Sequence, residues 1–178
     1  MIRRRAMSRS SILPFTWVFL RLVILLNWLG GAAILALLIA TVVFQQWSMK
    51  ALGITQASGI PAMLPGLQAI AVLGLVAIPL NHAVLSRLLP MIETVRRGDP
   101  FVGANALRLR TIAWVLLALQ LLSIAIGAIG RALSTPGHPL HLDAGFSISG
   151  WLAVLLTFIL ARVFAAGTLM REDLEGMI

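Results

Sequence analysis

Four stretches of this chain are too long, too apolar and too poor in charge to belong to a water-soluble body. The first runs from Leu22 to Phe44 without a charged side chain, Asn27 being its most polar member. At 1.5 Å of rise per residue it reaches about 34 Å, enough to cross a bilayer with some tilt. The second runs from Leu67 to about Leu85 and closes with Pro79, Asn81 and His82. The third runs from Thr111 to Gly130 and holds Gln120; the fourth, from Ser147 to Ala166, holds Arg162, the one charge in any of the four. Runs of this length and purity are the signature of transmembrane helices. Composition agrees: 60% of the 178 residues are hydrophobic and 11% charged, against about 25% charged in a soluble domain. An ordinary soluble enzyme and a disordered basic tail are both excluded. Barrel strands alternate apolar and polar residues, and these runs do not. With no cysteine, a disulfide framework, a thiolate metal site and a cysteine nucleophile are excluded as well. The expected fold is all-α, an integral membrane four-helix bundle in one domain, with spans at about 15–44, 67–89, 108–130 and 147–169.

Basic residues orient the spans. Arg3, Arg4, Arg5 and Arg9 precede the first and Arg21 stands at its start. Arg87, Arg96, Arg97, Arg108 and Arg110 lie between the second and third, and Arg171 follows the fourth. The other two connections hold only Lys50 and Arg131. This bias places both termini, the 86–110 loop and the 167–178 tail in the cytoplasm of a multi-pass inner-membrane protein. The first run exceeds the 7–15 apolar residues, roughly, of a signal peptide, so it reads as a retained signal-anchor. Trp17, Trp114, Trp47 and Trp151 fall near span ends, where interfacial tryptophans belong. Small residues recur four apart, as Ala32, Ala36 and Ala40, as Ser123 and Gly127, as Ser149 and Ala153, and as Ala161 and Ala165. Such stripes let helices approach closely, although alanine and glycine are frequent in membrane helices in any case.

Chemistry concentrates in few places. Arg162 is an intramembrane ionisable group and hence a functional candidate; the plainer readings are snorkelling to headgroups or pairing with Glu93 or Asp99. Asn27, Gln68, Asn81, His82 and Gln120 can hydrogen-bond between helices. His138, His141 and Asp143 form an H-x-x-H-x-D pattern that could ligate zinc, but Pro136, Gly137 and Pro139 make this a turn rather than a shared ligand face. In the 86–110 loop, Leu88, Leu89, Met91, Ile92 and Val95 can continue the second helix. Gly98 ends it, Asp99-Pro100 enforces an extended turn, and Asn105 is placed to cap the next helix. Membrane anchoring accounts for Arg97, Arg108 and Arg110, but not for Gly98, Asp99, Pro100, Phe101 and Asn105 in that order. The tail holds Arg171, Glu172, Asp173 and Glu175 beside Leu169, Met170 and Leu174. A short amphipathic helix there would bring Glu172 or Glu175 to the loop arginines, as an intramolecular lock or as a docking surface.

The segments VRRGDPFVGANALRLRTIAW and GWLAVLLTFILARVFAAGTLMREDLEG resemble the signatures of a bacterial membrane family called domain of unknown function 2975. Gly98, Pro100, Phe101, Asn105, Leu109 and Arg110 match the first. Ala161, Arg162, Phe164, Gly167, Arg171, Glu172, Asp173, Leu174, Glu175 and Gly176 match the second. Gly103-Ala104 stands where members often have Pro-Glu, which leaves this loop less acidic. The resemblance covers most of the chain. It implies four transmembrane helices, and the family has no assigned catalytic residues to carry over; no cofactor is expected. It also implies a cytoplasmic helix-turn-helix transcription regulator as partner, because the family is often encoded beside one. The leading expectation is a non-enzymatic membrane sensor or regulatory partner. The alternative is a small transporter or channel subunit, a homo-oligomer, drawing on the polar residues within the spans. The spans hold no acidic residue, and neither H-E-x-x-H nor G-x-S-x-G occurs, which argues against an intramembrane enzyme. Basic residues scattered along membrane edges argue against direct nucleic-acid binding.

Overall fold

The computed structural model describes residues 12–44, 63–134 and 144–175. They form four long helices: α1 (Ile12–Val43), α2 (Met63–Arg96), α3 (Gly103–Leu133) and α4 (Ile148–Glu175). All four are long and apolar enough to cross a membrane. The protein therefore has the make-up of a multi-pass membrane protein. At 1.5 Å per residue the helices measure about 42–51 Å, longer than the hydrocarbon core of about 30 Å, so their ends project beyond it. The 86–110 segment is mostly helical in consequence. Residues 86–96 complete α2, residues 103–110 open α3, and only 97–102 connect them.

Extensive packing joins sequence neighbours: α1 on α2, α2 on α3 and α3 on α4. Among the described residues α1 and α4 are not packed along one another, so the array is open on that side. Its outer surface is rich in exposed Leu, Ile, Val, Phe and Trp, which lipid tails, as apolar as leucine, can solvate. Pro79 and Pro90 lie inside α2 without ending it. In α1, Ala32 and Ala36 face outward. The close approach to α2 is instead at the buried Gly31, where an added Cβ would stand 3.0 Å from Ile78. The Asn27 amide reinforces this contact by donating to the Ile78 carbonyl at 3.1 Å.

The two ends of the array are built differently. At one end the extended residues 144–147 lie across α3. The Ser123 hydroxyl accepts from the Gly145 amide at 3.1 Å and donates to its carbonyl at 3.2 Å. The buried Gln120 amide donates to the Ser147 carbonyl at 3.4 Å. At the other end the start of α1, the end of α2, the start of α3 and the end of α4 come together. Trp17, Val18 and Arg21 of α1 share a groove with Leu89, Glu93 and Arg96 of α2, and Arg21 stacks 3.9 Å from the centre of the Trp17 ring.

Candidate functional site

The end of α2 is set by its backbone. Gly98 has φ +81°, its N–H donates to the Val95 carbonyl at 3.0 Å, and the Asp99 N–H donates to the Thr94 carbonyl at 3.0 Å. This pair of bonds around a left-handed residue is the Schellman stop. No atom would crowd a Cβ at Gly98, so the demand for glycine is conformational. Gly98→Ala should cost about 1 kcal/mol, read as an earlier midpoint in SDS titration of mixed micelles. Gly98→Asn should lose less, because asparagine tolerates this conformation.

Asn105 organises the chain beyond this stop. It does not cap α3, contrary to the expectation from sequence. The cap position is Val102, which makes no side-chain bond, and Asn105 is the third helical residue. Its side chain is fully buried and turned back on the connection. The amide donates to the Thr94 hydroxyl at 2.6 Å and to the Pro100 carbonyl at 2.9 Å. Its carbonyl accepts from Arg108 at 2.8 Å. Thr94 in turn donates to the Met91 carbonyl at 2.8 Å. One amide thus ties together α2, the connection and α3.

The connection is then clasped to α4. The Phe101 ring lies 5.2 Å from that of Phe164 and fills the space over Gly167, where a Cβ would come within 2.7 Å of it. Thr168 is buried beside it and donates to the Phe164 carbonyl at 2.9 Å. One turn further on, Arg171 forms an ion pair with Asp99. This corrects the polarity expected of the tail: its cation meets the anion of the connection. Glu172 and Asp173 are exposed and make no ion pair among the described residues. Glu175 closes the helix, with its side chain outside the described residues. Residues 167–175 of the tail continue α4 rather than forming a separate short helix.

The remaining arginines have distinct places. Arg97, with Arg96, pairs with Glu93 at 3.1 Å on the exposed end of α2. Arg162 pairs with neither Glu93 nor Asp99, both of which are occupied by other arginines. It lines a groove between α3 and α4 together with Arg110. The pattern at His138, His141 and Asp143 lies outside the described residues, as do residues 45–62. Among the described residues, no group of His, Asp or Glu is arranged to hold a metal ion.

Two segments legible separately, 97–110 and 161–171, are therefore one structural unit. Thr94, Phe164 and Gly167 complete it without having been singled out from sequence as site residues. Only the juxtaposition of α2, α3 and α4 assigns them their roles. A family model described as "Protein of unknown function (DUF2975)" matches residues 70–178, a span that contains the whole unit. Neither a curated protein nor a solved structure matches the chain.

Proposed function

The chain belongs to the family described as protein of unknown function (DUF2975), and from that premise we propose that it is a non-enzymatic bacterial inner-membrane protein. In this reading both termini are cytoplasmic, and the clasped end is a regulatory platform for a small cytoplasmic helix-turn-helix regulator. The observation that carries the reading is the clasp itself. Its interior is spent on structure, through Asn105 and Thr168, while Arg96, Arg97, Glu172 and Asp173 remain exposed around it. A fixed arrangement of exposed charges of both signs suits recognition of a protein surface. The positive bias at this end supports a cytoplasmic location. The transporter reading has less support, because three of the five polar groups in or near the spans, Asn27, His82 and Gln120, are engaged internally. Asn27 bonds Ile78 and Gln120 bonds Ser147, while His82 accepts from the Trp28 indole at 3.4 Å.

Capture of the tagged protein at native expression tests the proposal. A helix-turn-helix protein should be enriched with wild type and lost with Asp99→Ala or Arg171→Ala, while circular dichroism shows the helices intact. The pair is partly exposed, so its loss should cost less than about 1 kcal/mol of stability and leave the fold in place. Capture of no cytoplasmic partner by wild type would overturn the proposal.

A further inference from the structure

The groove between α3 and α4 has a composition that neither packing nor anchoring explains. It is lined by Ala106, Leu107, Arg110 and Trp114 from α3 and by Phe158, Ala161, Arg162 and Ala165 from α4, and it encloses about 390 Å³. The α3 residues are spaced three and four apart, and so are those of α4, so two facing stripes form its walls. The small Ala106, Ala161 and Ala165 leave the space open, and Leu107 and Trp114 are exposed on its outer side. No carboxylate lines it, and neither Arg110 nor Arg162 makes an ion pair among the described residues.

Depth fixes what such a groove fits. Gly103 packs beside Thr168 at the level of the connection. Arg110 lies seven residues beyond Gly103 and Arg162 six before Thr168, so the backbone at both arginines sits about 10 Å inside that level. Trp114 and Phe158 come one turn deeper, edge to face with centroids 5.3 Å apart. Along the helix axis the groove is thus cationic at its outer end and aromatic at its inner end. We propose that Arg110 and Arg162 form a clamp for one anionic phospholipid, the phosphodiester held between the two guanidinium groups and an acyl chain lying over Trp114 and Phe158. Guanidinium groups bind phosphate through paired N–H donors. Basic pockets between membrane helices are suited to acidic headgroups. A free anion has no use for the aromatic floor, and an acidic peptide would have to enter below the clasp at membrane depth.

The test is native mass spectrometry of the full chain in detergent, titrated separately with phosphatidylglycerol and with phosphatidylcholine. One phosphatidylglycerol should bind about thirtyfold more tightly than phosphatidylcholine, on the scale of the attraction of two arginines for an acidic lipid. Arg110→Gln with Arg162→Gln should abolish the preference, and Arg131→Gln, at the opposite end of α3, should retain it. Equal affinity of wild type for the two lipids would overturn the proposal, and that comparison requires no variant to fold. Selectivity surviving in the double variant would also overturn it, as would displacement of the lipid by millimolar inorganic phosphate or by an acidic peptide. The readout does not involve a cytoplasmic partner, so this clamp and the regulatory platform stand or fall separately.

Discussion

Asn105→Ala should be among the most destabilising single substitutions in this protein, at about 2–3 kcal/mol, although it removes only a small polar side chain. The cost arises from the groups left without partners. The Pro100 carbonyl and Arg108 each lose a partner in a place where the Asn105 side chain has no exposure to water. Leaving one buried polar group unsatisfied costs about 1–3 kcal/mol, more than the net gain from forming the bond. Thr94 suffers less, because its hydroxyl keeps its bond to the Met91 carbonyl. Thr94→Val should therefore cost about 1 kcal/mol. The double variant should fall short of the sum of the two singles, because both act on one network. SDS titration of all four proteins in mixed micelles measures the cycle. Strict additivity, or an Asn105→Ala loss below that of the exposed Arg171→Ala, would show that Asn105 is not the centre of the clasp.

That centrality was not legible in the sequence, and the reason is physical. An asparagine near a helix start is a capping residue by local statistics. Whether its side chain turns to its own helix or back to the preceding one depends on where the neighbouring helix ends. Gly98-Asp99-Pro100, in contrast, is legible because the constraints are local: a left-handed glycine and the restriction before proline act within a few residues. The four spans are legible for a similar reason, since length and absence of charge decide them without reference to neighbours. The polarity of the clasp falls between these cases. Charge counting suggests that the acidic tail seeks the loop arginines, but helix phase decides otherwise. Phe164, Gly167, Thr168 and Arg171 recur at three- and four-residue intervals and share the face of α4 that meets the connection. Glu172 and Asp173 are rotated away by about 100° and 200° from Arg171. The alanine stripe of α1 shows the limit of pattern reading: spacing identifies residues able to approach another helix, not those that do. Ala32 and Ala36 face outward, while Gly31 makes the contact with Ile78.

The opposite end of the array offers the second large effect, Gly127→Ala, at about 3 kcal/mol. A Cβ on Gly127 would stand 2.5 Å from the Ala144 carbonyl oxygen and 2.7 Å from the Gly145 Cα. Both are backbone atoms, so no rotation of a side chain relieves the overlap. Either residues 144–147 lift away from α3 or the helix shifts. Lifting stretches both Ser123 bonds to Gly145 and the Gln120 bond to Ser147. Overpacking costs about 1–3 kcal/mol where surroundings adjust, and a backbone obstacle with three attached hydrogen bonds belongs at the upper end. Gly30→Ala is the control. No atom lies within 4 Å of its added Cβ, so the change should be neutral or slightly stabilising by the helix preference for alanine. Unfolding midpoints of the two variants should differ clearly, and equal midpoints would mean that residues 144–147 are not seated on Gly127. Partner capture provides a further separation. Gly127 lies near the far end of α3 from Asn105, about 33 Å away along the helix. If the proposed cytoplasmic regulator is captured by wild type, a Gly127→Ala protein that keeps its helices should therefore capture it too, whereas Asp99→Ala should not. Loss of capture in both would make the fold as a whole, rather than the clasped end, the recognised feature.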